Sequence, residues 1–409
     1  MQSTHDAPKW PYILLLIGNL GGLVFFLGGA AFMLFSALID LVSPVPGLPE
    51  NGLTTGVLSA FGLGMCALPF IPAGLFSLRR VQGKPILAAK IRPMKAWQGI
   101  VILVVWAGVT FLSDFLFQRF KLGWLASAPS YLLAIGLPVF FLIWLGVGGL
   151  PVGSRNRLWS TLGIGLSAGP LLATLLELFL YAGALLTGLV ALSFNPNWTS
   201  VLQQLNGQLA NATDINKIVD IVSPYLMNPA IIVILFLTMA VFTPMIEEAV
   251  KPFTVWLVGK RLRSPAEGFA LGVLSGAGFA LIEALLASSS PDQGWGVLLV
   301  ARAGGSLMHT LGSGLMGWAI VSAYQGKRLR LPLIYLISIS IHGLWNSAAV
   351  LIILGGVQGY LKTGSDSTAN LLTVIGVVLL GLLVVTIVPA MILINRKLRP
   401  PAPEILPAG

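Results

Sequence analysis

Acids, bases and an amide interrupt four apolar stretches in the second half of this chain. They read Glu247-Glu248-x-x-Lys251, Phe279-x-x-x-Glu283, Arg302 followed by His309, and His342-x-x-x-Asn346. Two of the chain's three histidines lie in this set. An ionisable side chain at bilayer depth costs about 2.5–3.5 kcal/mol on insertion scales, so such groups mark function unless they only neutralise one another. Glu247, Glu248 and Glu283 face the cations Lys251 and Arg302 alone, which leaves one carboxylate without a fixed counter-charge. Such a carboxylate suits a general base that activates water against a carbonyl. A histidine and an asparagine amide can then donate hydrogen bonds to the developing oxyanion. No serine or cysteine nucleophile elbow and no His-Glu-x-x-His zinc motif is read here, so the chemistry points to a water-activating hydrolase.

Helix geometry divides the labour. Neighbouring residues on a helix point about 100° apart, so Glu247 and Glu248 are not expected to aim into one pocket together. Lys251 lies four residues after the first and three after the second, within reach of either. One glutamate is expected to work while Lys251 or Arg302 holds the other. Phe279 shares a helix face with Glu283, and His342 shares one with Asn346.

The elements that carry these groups must be membrane spans. The chain has 409 residues, 56% hydrophobic and only 9% charged, against about 25% charged in a soluble domain. At about 20 apolar residues per span, ten are predicted: 12–40, 53–78, 96–118, 130–150, 158–192, 229–258, 266–288, 296–324, 331–356 and 371–394. The fifth and sixth contain Pro170 and Pro244 and are expected to kink or break. The net charge of +10 is concentrated in alternate short loops, which reports topology rather than nucleic-acid binding. By the positive-inside rule both termini face the cytoplasm. The fold class is therefore an all-α polytopic bundle in the plasma membrane. A five-span extension covers 1–195, an extracytoplasmic loop 196–228, a catalytic membrane domain 229–394 and a disordered cytoplasmic tail 395–409.

Span lengths place Glu247, His309 and His342 about 17–20 Å inside the bilayer at 1.5 Å per residue. Glu283 comes out nearer the outer surface, and belongs to the entrance unless its span is tilted or starts late. Gly268, Gly272 and Gly276 form a small-residue face that lets another backbone approach closely. Glu177 is read as pairing with a polar group near the Pro170 kink. Trp97, Trp159 and Trp295 read as interfacial anchors.

In these residues the chain resembles the PrsW family of intramembrane proteases, within the wider group of CAAX-processing and bacteriocin-processing membrane proteases. The resemblance implies that Glu247 is the base, with Glu248 in support. Glu283 then stands where the wider group often has histidine. His309 is expected to hold the water or the substrate, and His342 and Asn346 to form the oxyanion hole. Lys251, Arg302 and Phe279 support them. The implied activity is a metal-independent, cofactor-free endopeptidase acting on membrane-anchored proteins, for example in anti-sigma-factor signalling. Two other classes compete. A proton-coupled transporter would use the glutamates and histidines as a relay, and a metal-dependent membrane hydrolase would use them as ligands.

Overall fold

The computed structural model describes residues 9–42, 52–119, 123–194, 196–212, 217–218, 220–222, 228–291, 294–361 and 366–401. The expected disordered tail 395–409 begins instead as helix, which runs to Leu398 with Asn395 Nδ2 donating to Gly146 O at 2.8 Å; residues 402–409, and parts of the expected outer loop, lie outside the described residues. Among the described residues the chain is helical, with no strand and one isolated bridge between Ala88 and Ser154.

The helices in chain order are α1 Trp10–Val42, α2 Gly52–Ala67, α3 Phe70–Val81, α4 Ala96–Arg119, α5 Gly123–Val147, α6 Arg155–Leu166, α7 Ala168–Ser193 and α8 Pro196–Ala210. Then follow α9 Pro229–Leu237, α10 Thr243–Val250, α11 Phe253–Val258, α12 Pro265–Ala287, α13 Trp295–Tyr324, α14 Arg330–Leu361 and α15 Asp366–Leu398. Nine helical stretches among the described residues are long and apolar enough to cross a membrane. The expected tenth, α13, spans 30 residues but is less apolar. It can be, because its run from Gly305 to Ser322 is mostly buried between neighbours, with α12, α14 and α5 packed against the helix.

Both predicted breaks occur, with additions. The fifth span parts at Ser167, between α6 and α7, three residues before Pro170. The sixth contains a π-helical segment, Thr238–Phe242, just before Pro244. It breaks again at Lys251-Pro252, where the proline cannot donate to the preceding turn. Contrary to the sequence reading, Gly165-Leu166-Ser167-Ala168-Gly169 does carry the spacing of a nucleophile elbow. It sits between two helices with no strand before it, and Ser167 Oγ donates to Gly163 O at 2.8 Å.

At the centre lies α12. Ser264 caps it by accepting from Glu267 N at 3.3 Å, and Pro265 opens its first turn. Its glycines meet α13 backbone to backbone: a Cβ on Gly268, Gly272 or Gly276 would collide with the carbonyl oxygen of Gly317, Ser313 or His309. The small-residue face therefore sets His309 directly against α12. Asp114 on α4 accepts from Gly296 N at 3.0 Å and so fixes the start of α13. Trp295 departs from its expected interfacial role. It is 1% exposed, stacks on Tyr131 and donates its indole N–H to Ser288 O at 2.9 Å. Its aromatic neighbours from α4 and α5 keep it from the bilayer surface.

Candidate active site

Four elements converge on one buried cluster: α10 with Glu247 and Glu248, α12 with Phe279 and Glu283, α13 with Arg302 and His309, and α14 with His342 and Asn346. Lys251 holds both glutamates of α10, where the sequence reading gave it one. Its Nζ lies 2.8 Å from Glu248 Oε1 and 2.8 Å from Glu247 Oε2. Both fit because Lys251 stands at the helix break, with its backbone carbonyl accepting from Ser275 Oγ at 2.6 Å. Glu247 Oε2 is buried, and its close partner is the Lys251 ammonium.

The two histidines turn one nitrogen each toward Glu247. His309 Nδ1 and His342 Nε2 each lie 3.9 Å from Glu247 Oε2. Their other nitrogens face carboxylates: His342 Nδ1 bonds Glu248 Oε1 at 2.9 Å, and His309 Nε2 lies 2.7 Å from Glu283 Oε2. Glu283 is also held by Arg302 Nη2 at 2.6 Å. Glu283 thus joins the cluster through His309 rather than standing apart at an entrance, although its side chain is 35% exposed. The Phe279 ring packs 5.6 Å from the His309 ring and under Lys251 Nζ at 5.1 Å.

Asn346 takes a different place. Its Nδ2 donates to Met239 O in the π-helical segment at 2.7 Å. A Cβ on Gly343 would strike Ala240 O in the same segment. The residues flanking His342 therefore grip the turn that precedes Glu247. A π turn spreads its backbone hydrogen bonds to i→i+5, and Asn346 takes up a carbonyl there. Asn346 thereby positions α10 against α14.

Glu177 was read as a paired residue near a kink, and the structure places it beside the cluster. On α7, Tyr181 OH bonds Thr243 Oγ1, and Ala173 packs with Val250 and Phe279. Glu177 lies one turn from each, level with Glu247 and within Coulombic reach of Glu247, Lys251 and Glu283. Its Oε1 is buried with no hydrogen-bond partner. Its only sequence signal was an isolated acid in an apolar span.

The donor atoms of Glu247, His309 and His342 all lie within 4.8 Å of one another. Two imidazoles and a carboxylate make a ligand set suited to zinc. One of its atoms, His309 Nδ1, is buried without a hydrogen-bond partner, and Glu247 Oε2 has the Lys251 ammonium at 2.8 Å. Outer carboxylates that face the remaining ring nitrogens are the usual second layer of such centres. Charge agrees: among the described residues Glu247, Glu248 and Glu283 share the cations Lys251 and Arg302, an excess of one carboxylate. The residues fit a divalent cation.

A family model described as PrsW family intramembrane metalloprotease matches residues 172–394, more than half of the chain. The match starts within α7, ahead of the catalytic boundary expected at 229, and so takes in Glu177. No curated protein and no solved structure matches the chain.

Proposed function

The chain belongs to the PrsW family of intramembrane proteases, and on that premise we propose a metal-assisted endopeptidase centred on Glu247, His309 and His342. The carrying observation is their mutual approach within 4.8 Å, with ring nitrogens backed by Glu248 and Glu283. This reading replaces the metal-independent one expected from sequence, in which Glu247 is a free base. A bound divalent cation supplies Lewis-acid polarisation of the scissile carbonyl and a more acidic water.

The chain's own groups prepare that chemistry. Lys251 offsets the charge of Glu247 and Glu248 inside a low-dielectric site, where an unpaired carboxylate is costly. Glu248 receives His342 Nδ1 and so leaves Nε2 facing Glu247. Arg302 anchors Glu283, and Glu283 orients His309. Phe279 walls the site beside His309. His342 serves here as a ligand, and Asn346 as a brace for the π-helical segment instead of an oxyanion donor. The substrate is a membrane-anchored protein segment, and a membrane-tethered regulator such as an anti-sigma factor is the family-based candidate.

The test is chelation followed by reconstitution, read by metal content as well as by peptide cleavage. Purified protein should carry equimolar zinc, lose it with activity on strong chelation, and regain both. Full cleavage by metal-stripped protein would return Glu247 to the role of free base. Proton-driven accumulation of a solute in sealed vesicles, without cleavage, would favour a transporter.

A further inference from the structure

The N-terminal helices and α12 border an open cavity that the proposed chemistry does not use. It measures about 620 Å³ and lies between α3, α5, α6 and α12. Its walls are apolar, with Val139, Ile143, Leu158, Leu274 and Leu281 among them. Lys90 and Arg155 stand at one end, both exposed. Neither has a carboxylate partner among the described residues.

The backbone builds this mouth. Ala88 and Ser154 form the antiparallel bridge, Ala89 N donates to Gly153 O at 2.9 Å, and Arg155 N donates to Leu87 O at 2.8 Å. Trp144 Nε1 donates to Arg92 O at 2.8 Å, which ties the same loop to α5. The two cations therefore flank one opening with Trp144 and Trp159 in its wall.

Met65 packs on Gly136 at the inner end of this cavity, and beyond that contact lies a separate apolar cleft of about 550 Å³ that reaches Leu132. From Trp144 to Gly136 along α5, the cavity runs about 12 Å at 1.5 Å per residue. That is most of one leaflet of a hydrocarbon core about 30 Å thick. Basic pockets between membrane helices hold anionic lipid headgroups. Tryptophan rings suit the headgroup level.

We infer that this slot seats one anionic phospholipid, its phosphate between Lys90 and Arg155 and an acyl chain along α5. A zwitterionic lipid brings its own cation to the two side chains and gains less. Free phosphate leaves the cavity unfilled. Leu274 and Leu281 put the bound chain against α12, the helix that carries Glu283.

The test is lipid retention by native mass spectrometry, using full-length protein in mild detergent with equal phosphatidylglycerol and phosphatidylcholine. One phosphatidylglycerol should be retained in preference, and each of Lys90→Gln and Arg155→Gln should reduce the preference about fivefold. Lys327→Gln, a basic loop residue away from the slot, should leave it unchanged. Equal retention of the two lipids overturns the inference. So does an equal loss in the Lys327 variant, which would mean diffuse surface charge. Displacement of the lipid by millimolar inorganic phosphate would reduce the slot to an anion site and also overturn it.

Discussion

Two buried polar sets sit in this bundle, and they are built on opposite rules. In the N-terminal half, Asn19 Nδ2 donates to Ser77 Oγ at 3.2 Å and to Ser160 Oγ at 3.3 Å, while Asn156 Oδ1 accepts from Ser77 at 3.0 Å and Ser160 at 3.1 Å. Every member is neutral, and none leaves a buried side-chain atom unpartnered. In the second half every member except Asn346 and Phe279 is ionisable. There Glu248 and His309, with Glu177 beside them, each leave a buried atom without a hydrogen-bond partner. Polar atoms inside proteins are nearly always paired, so the first set holds α1, α3 and α6 together and the second is kept ready for something else. Burial of polar groups alone does not separate glue from chemistry; here the difference is that ionisable groups cluster in one set and neutral ones in the other.

That contrast can be broken or sharpened by substitution. Glu247→Gln should cause the largest effect, a loss of cleavage of at least about 10²-fold with bound zinc reduced and the fold kept, as checked by peptide assay, metal analysis and thermal melting. Wild-type turnover by this variant would remove Glu247 from the centre. Glu248→Gln and Glu283→Gln should each weaken zinc about 10–100-fold, measured by competition with a chromogenic chelator. Gly272→Val should cost about 1–3 kcal/mol of stability through overpacking, and it should lower activity in step, since its Cβ meets Ser313 O on the helix of His309. Asn156→Ala should lower stability by about 0.6 kcal/mol, the usual size of a hydrogen bond between membrane helices, with cleavage per folded molecule unchanged. If it instead abolished activity in folded protein, the neutral set would belong to the chemistry too.

Much of this was legible because membranes make polar residues conspicuous. The spacing of Glu247, Glu248 and Lys251 announced an intrahelical ion pair, and Gly268, Gly272 and Gly276 announced a close helix partner. What stayed hidden depended on tertiary packing. Lys251 reaches both glutamates because the chain breaks at Pro252, a break the apolar pattern did not single out. Trp295 looked interfacial by position, yet Phe117 and Tyr131 enclose it. Asn346 shares a face with His342, but its amide found the nearer carbonyl of Met239. Glu177 gained its place only when α7 lay beside α10. The neutral Asn19–Ser77–Asn156–Ser160 set carries no charge and is scattered over three helices, so it left no trace in composition.

The π-helical segment Thr238–Phe242 also fixes a phase. Every residue added to or removed from a helix turns all that follows by about 100°. Glu247 and Glu248 lie five and six residues beyond the segment's end; a deletion within the π turn is taken up by its return to α-helix, whereas one residue inserted between the turn and Glu247 would swing one carboxylate away from the histidines. Gly343 and Asn346 clasp the widened turn from α14 and hold it at its present count. The number of residues between the π-helical segment and Glu247 is thus constrained as well as the identity of Glu247, and an insertion there would silence the centre without altering any side chain in it.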